Sequence, residues 1–460
     1  MFNLKMNDYI IFISTIAAFL VAFLSSATSI MLPAIASEFG MSNILQNWVA
    51  TIFLLAIAIC SVPAGKLTGK YGLKKSLFIG VLIFLFGSIG SALAFSSYSL
   101  LFFRILQGIG AAILNVTSLA MIVEALPPKN RGRGVGINVA GTYIGLSLAP
   151  VIGGILTYNF GWRSVFYLTI PFIILVLILT VVKIKTEWIT GENESFDKLG
   201  SVLFSIGILL FIYGFTVIHE YSGILLVIIG LGLLAYFVYW ELKQRYPVFS
   251  MSLFKNAKFT SSIAASLISY FATFVITYIL NYHLQYIRGF DSQTAGFFLI
   301  VTPLMMAIIS PFAGRLSDKI NPQKLAAIGM SLVSIALIIL CFLNENFPLY
   351  LIIVAMFLQG LGYGLFSSPN TNSIMSSVPK KDTSTASAAV STVRVIGQTL
   401  SLGMLTVIFA IIMGNVPIIP ANYNLLISSS QIACIISVIC CVIAVFASLV
   451  GLKSKDKYNT

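Results

Sequence analysis

The chain has 460 residues, of which 58 % are hydrophobic and 9 % charged, and its mean hydropathy is +1.00. Soluble domains carry about 25 % charged residues, so this composition excludes an ordinary soluble fold and puts most of the surface against lipid. The net charge of +13 raises nucleic acid as a partner, and the placement of the basic residues argues against it.

A bilayer core takes about 20 apolar residues per helix. Apolar runs predict spans over 9–31, 46–66, 76–96, 99–123, 134–157, 164–184, 198–219, 222–241, 258–286, 293–314, 324–343, 347–370, 384–413 and 427–452. The first run follows Met1–Tyr9 directly, is longer than a signal-peptide core and lacks a small-residue cleavage site, so it reads as a retained span. The polar stretch Thr186–Asp197 reads as a linker.

Lys and Arg orient the spans. With both termini on one side, nearly all of the 27 basic residues fall on that side: Lys5, Lys66 to Lys75, Lys129 to Arg133, Lys183 to Lys198, Lys243 to Lys258, Arg315 to Lys324, Lys380, Lys381, and Lys453 to Lys457. Only Arg163 and Arg288 fall opposite, and Arg104 and Arg394 lie inside spans. The expectation is a plasma-membrane protein with both termini cytoplasmic. Its basic loops meet anionic lipid headgroups rather than nucleic acid.

The chain repeats itself. Leu106-Gln-Gly-Ile-Gly110 recurs as Leu358-Gln-Gly-Leu-Gly362, Leu126-Pro-Pro-Lys-Asn130 as Val378-Pro-Lys-Lys-Asp382, and Gly65-Lys-Leu-Thr-Gly-Lys70 as Gly314-Arg-Leu-Ser-Asp-Lys319. Duplication of this kind is characteristic of transporters. The predicted fold class is therefore all-α: a polytopic membrane protein of about fourteen transmembrane helices. Residues 1–186 form one six-helix bundle, 187–246 a linker and two-helix insert, and 247–460 a second six-helix bundle.

Polar residues inside spans are the candidate functional groups. On span 4, Arg104, Gly108, Ala111, Asn115 and Ser118 share one helical face, with Gln107 beside it. Gln359, Ser367 and Asn370 form the equivalent stripe on span 12, and Arg394 and Gln398 lie one turn apart on span 13. These groups are expected to line a central cavity; for Arg104 the alternative is a structural guanidinium bonded to carbonyls. None of the 14 acidic residues falls plainly mid-membrane. Glu124, at the inner end of span 4, is the best inner candidate for proton coupling, against an interfacial Glu paired with nearby bases. His283 lies in the outer part of span 9, and His219 and Glu220 at the outer end of span 7. Tyr270, Phe271, Phe274, Tyr278 and Tyr282 on span 9 offer either a stacking surface or plain packing. Gly141 and Gly145 on span 5 form a pair that admits a close helix neighbour, and Pro150, Gly153 and Gly154 permit a bend. Cys60, Cys341, Cys434, Cys440 and Cys441 lack metal-ligand spacing and read as packed thiols.

Several motifs together resemble the major facilitator superfamily, in its fourteen-span drug:proton antiporter branch. Gly65-Lys-Leu-Thr-Gly-Lys-Tyr-Gly-Leu-Lys-Lys75 is similar to the superfamily's loop between spans 2 and 3, Leu101 to Ala112 to its span-4 motif, and Gly141 to Gly154 to its span-5 antiporter motif. Trp162-Arg163, Phe166, Pro247 and Leu253-Phe-Lys-Asn256 fit the fourteen-span branch. The resemblance implies gating roles for Gly65, Gly72, Lys74 and Lys75, for Gly314 and Asp318 in the second copy, and for Gly141, Gly145, Pro150, Gly153 and Gly154 in a helix that seals the outer side. Gly69 occupies the place of the family's loop Asp, which the second copy keeps as Asp318, and the branch's span-1 Asp, near Leu24, is absent.

The resemblance implies proton-coupled efflux, by alternating access, of drugs or other small organic compounds of amphipathic or cationic type. No cofactor or metal is expected, since no Walker motif is present and a proton gradient would supply the energy. The partners expected are a small-molecule substrate and the bilayer, with the protein working as a monomer. The alternative is a facilitator or importer of a small organic anion without proton antiport; the two intramembrane arginines suit an anionic or neutral solute better than a cation. A membrane enzyme would need clustered His, Asp or Glu, and a sensor would need room for an output domain.

Overall fold

The computed structural model describes residues 6–41, 43–189, 195–218, 221–290, 292–379, 382–413 and 420–452. Lys5, His219, Glu220, Lys380, Lys381, Lys453, Lys455 and Lys457 lie outside them. Among the described residues, 14 helical segments are long and apolar enough to cross a membrane, and the fold is all-helical.

The first bundle comprises α1 (Met6–Phe39), α2 (Asn43–Tyr71), α3 (Leu73–Ala92), α4 (Ser97–Ala125), α5 (Pro128–Phe160) and α6 (Arg163–Lys183). The insert is α7 (Lys198–Thr216) and α8 (Tyr221–Glu241). The second bundle comprises α9 (Ala257–Tyr282), α10 (Ser292–Leu299), α11 (Val301–Ser317), α12 (Pro322–Leu340), α13 (Leu349–Ser376), α14 (Thr383–Ile412) and α15 (Tyr423–Leu452).

Helix starts follow from capping chemistry. Ser96 and Ser99 make a reciprocal capping box on α4, and Asp197, Asn256 and Asn321 accept from first-turn N–H groups of α7, α9 and α12. Several helices overrun their predicted ends. The stretch 65–71, expected to be loop, is the last part of α2; Gly72 alone turns the chain into α3, at a φ of 100° that favours glycine. The tenth predicted span is two helices, α10 and α11, broken at Ile300. Spans 9 to 14 of the sequence thus map onto seven helices.

Within the first bundle α1 packs on α5 and α3 on α4; within the second α12 packs on α13 and α9 on α15. Across the bundles α5 meets α11, and α14 meets α2 and α4. The insert attaches through α7, which touches α2 and α14, while α8 packs on α7 and leaves Ile224, Leu225, Ile228 and Leu231 exposed, as a lipid-facing helix should.

Candidate functional site

A partly open cavity with about 130 Å³ of free space lies between the helices. Ser25 of α1, Asn115 and Ser118 of α4, Asn138, Thr142 and Tyr143 of α5, Tyr270 of α9, Ser367 of α13, and Arg394 and Gln398 of α14 contribute its polar and aromatic lining. Asn115 Nδ2 and Ser118 Oγ are buried there without a hydrogen-bond partner among the described residues. A buried polar atom left unpaired is costly, and such atoms facing a cavity mark where water or a polar solute completes the bonding. The Tyr143 hydroxyl donates to Ser367 Oγ at 2.9 Å across the bundle interface. Tyr363 stands behind, edge-on to Tyr143 and Tyr270 at 6.3 and 5.9 Å. A larger groove of about 490 Å³ beside α7, α9, α14 and α15 is lined only by apolar residues, including Phe215 and Phe271, and offers nothing to orient a polar solute.

Only part of the predicted stripe reaches this cavity. Asn115, Arg394 and Gln398 line it; Arg104, Gln107, Gln359 and Asn370 do not. The Arg104 side chain is fully buried, donates from Nε to the Val49 carbonyl at 3.1 Å and from its guanidinium to Gln107, and lies 4.3 Å over the Phe53 ring. Gln107 passes the bond on to Ser88 Oγ at 2.8 Å. This chain ties α4 to α2 and α3, an arrangement that fits a carbonyl-bonded guanidinium, and leaves Arg104 Nη2 buried without a partner among the described residues. Asn370 donates to the Ser262 carbonyl and to Ser266 Oγ at 2.9 and 2.8 Å, joining α13 to α9. Gln359 is buried within the second bundle.

The span-5 glycines also divide differently from expectation. A Cβ at Gly141 would strike Thr15, one at Gly145 would come within 2.6 Å of the Phe19 carbonyl, and one at Gly153 within 3.3 Å of Ala27. These glycines therefore admit α1 inside their own bundle and do not form the seam between halves. Gly154 has only Ile30 nearby, at 3.9 Å, and Pro150 is accommodated inside a continuous α5. The seam uses Gly132 and Gly136, which approach Gly314 and Ser310 of α11. Their four-residue spacing was a readable signal that the sequence reasoning missed.

At the face where Lys and Arg concentrate, here called the basic face, two carboxylates join the bundles. Asp318, just beyond α11, accepts from the Gly132 and Arg133 N–H groups of α5 at 2.8 and 3.0 Å. Burial pushes its carboxyl above the usual range, against the lowering effect of those two N–H groups. Glu124, at the end of α4, accepts from the Thr383 hydroxyl at 2.7 Å, in the first turn of α14. Ser387 donates to the Val116 carbonyl at 2.8 Å, and a Cβ at Gly65 would meet Ala388 at 2.7 Å. The bundles are therefore closed on the basic side of the cavity. Lys74 and Lys75 act here through their backbones, donating to the Glu187 carboxylate at 2.7 and 3.1 Å and so capping α3 with the linker; Gly72 packs against the same side chain.

The sequence profile of the Major Facilitator Superfamily matches residues 14–402. The riboflavin transporter RibZ of Clostridioides difficile (strain 630) is 30 % identical over 410 residues, covering 88 % of this chain and 89 % of that protein. The multidrug resistance protein Stp of Mycobacterium tuberculosis (strain CDC 1551 / Oshkosh) is 30 % identical over 391 residues, covering 83 % and 72 %. In fold, the proton:xylose symporter XylE matches with a TM-score of 0.71 at 16 % identity, over 96 % of this chain and 94 % of that one. An all-helical fold around a polar cavity, a family match over most of the length and relatives named as transporters lead to one assignment: the chain belongs to the Major Facilitator Superfamily and is a multi-pass membrane transporter of small molecules.

Proposed function

We propose that the protein is a secondary active exporter of small organic compounds, coupled to protons, of the fourteen-span drug:proton antiporter type. The basic face and both termini are cytoplasmic on this reading, and a single chain is the working unit. The observation that carries it is the central cavity, with unpaired polar atoms on α4 and closure by carboxylate contacts on its basic side. The relatives named as a multidrug resistance protein and a riboflavin transporter support a small organic solute.

Coupling is assigned to Glu124. As an anion it holds Thr383 and faces the positive end of the α14 dipole. Loss of that charge loosens the closure and favours opening to the basic face. Solute and proton then exchange across the same rocking motion. The test is solute flux in proteoliposomes under an imposed pH gradient, across neutral, anionic and cationic dyes. Export that scales with the gradient supports the reading. Flux of the transported dyes that ignores the gradient replaces it with a facilitator.

A further inference from the structure

The charge of the cavity lining narrows the substrate class, on the footing that the central cavity is where solute binds. Arg394 is the one fully charged side chain among the lining residues. No described residue hydrogen-bonds or ion-pairs with its guanidinium. The candidate counter-charges are engaged elsewhere: Glu124 with Thr383, Asp318 with the first turns of α5. Arginine stays protonated in any protein environment, and an uncompensated charge away from water is strongly unfavourable. While the cavity is wet, water serves the guanidinium. When the bundles close around a solute that water is displaced, and the solute itself must supply the negative partner. A cation in the same space meets like charge and no carboxylate.

The remaining lining specifies the rest of the ligand. Gln398 follows Arg394 by one turn on the same face of α14, adding a carboxamide beside the guanidinium fork. Across the cavity, Asn115 Nδ2 is a donor without a partner. Tyr270 and Tyr143 present ring surface, held by Tyr363 edge-on to both. The free space of about 130 Å³ is below the roughly 300–1,000 Å³ of pockets for drug-sized ligands, which favours one or two rings. We propose that the cavity selects small aromatic monoanions. The acid group lies in the Arg394 fork, the ring lies against Tyr270 and Tyr143, and organic cations are rejected.

The test uses one ring system in three charge states: naphthoate, naphthamide and naphthylmethylammonium, in equilibrium binding and counterflow with the full chain in proteoliposomes. Naphthoate is expected to bind at least about tenfold tighter than the amide, and the ammonium not at all. Arg394→Gln should bring naphthoate and naphthamide to similar affinity, while Arg394→Lys, keeping charge but losing the planar fork, should retain part of the difference. Binding of the ammonium as tight as naphthoate, a naphthoate preference that survives Arg394→Gln, or failure of all three to bind would each overturn the proposal. The wild-type panel alone decides it if the variants fail to fold. Ser25→Trp, which fills the cavity, separates the two levels. Flux blocked by Ser25→Trp but indifferent to charge refutes the substrate class and leaves the central site standing. Flux untouched by Ser25→Trp removes the central site itself.

Discussion

The Thr383 hydroxyl donates to the Glu124 carboxylate at 2.7 Å, joining the end of α4 in one bundle to the first turn of α14 in the other. In the repeat-related contact, Asp318 after α11 takes two N–H groups from the first turns of α5. The end of α2 has Gly69 where the end of α11 has Asp318, so it brings no carboxylate to α14. Glu124 provides one from the neighbouring helix, and the two closures are matched in effect though not in residue position.

Glu124→Gln keeps an acceptor for Thr383 but removes the charge at the α14 N-terminus. Such a charge contributes about 0.3–1 kcal/mol, a two- to fivefold shift in the balance between open and closed. Solute efflux in this variant should lose its dependence on the imposed pH gradient while downhill exchange persists. Gradient-driven flux at the wild-type level would take Glu124 out of coupling.

The Gly132–Gly136 seam leaves no room for side chains. A Cβ at Gly136 would lie 2.6 Å from the Ser310 carbonyl, and one at Gly132 2.5 Å from Asp318 Oδ1. Gly136→Val is expected to disfavour the closed basic face by about 1–3 kcal/mol, read as longer spin-label distances between the basic ends of α5 and α11. Gly154→Ala, with its nearest neighbour at 3.9 Å, serves as the silent control. Unchanged distances in Gly136→Val would mean that α5 and α11 do not form the seam.

Arg104→Ala should cost about 2–4 kcal/mol of stability, because it strips the Val49 carbonyl and Gln107 of a buried charged donor. Thermal unfolding in detergent is the readout, with Arg104→Lys rescuing little since an ammonium cannot span both acceptors. Transport per folded molecule should survive. An Arg104→Ala protein with wild-type Tm and no transport would return this residue to the mechanism.

On the opposite face, Glu38 accepts from Arg163 Nη1 and Trp162 Nε1, both at 2.7 Å, and Arg163 also donates to the Ala94 carbonyl. The Arg163 guanidinium holds the Glu38 carboxyl below the usual carboxylate range. A lowered carboxyl contributes stability above its unfolded value and loses it as pH falls through the folded one. The wild type should therefore exceed Glu38→Gln in thermal stability at neutral pH, and the gap should close in acid. Exposure keeps the gap under about 1 kcal/mol. A gap that persists unchanged in acid would remove the ion pair as its cause.

The span count was legible without coordinates, because a bilayer imposes helix length and apolarity on each segment independently of its neighbours. Segment-wise reading picked out α4, α13 and α14 as cavity helices and left out α1, α2 and α5, which also line it. It did not assign the direction in which each polar side chain faces. Arg104 and Arg394 are both arginines inside apolar helices, yet α4 presents the first to α2 and α3 while α14 presents the second to the gap between bundles. The same holds for Gly141 with Gly145 against Gly132 with Gly136: identical spacing on one helix, with α1 on one side and α11 on the other. Lipid sets length and composition one helix at a time, so these are written in the local sequence. Which face meets a neighbour and which meets the cavity is settled only when all the helices pack, and that choice belongs to the tertiary structure.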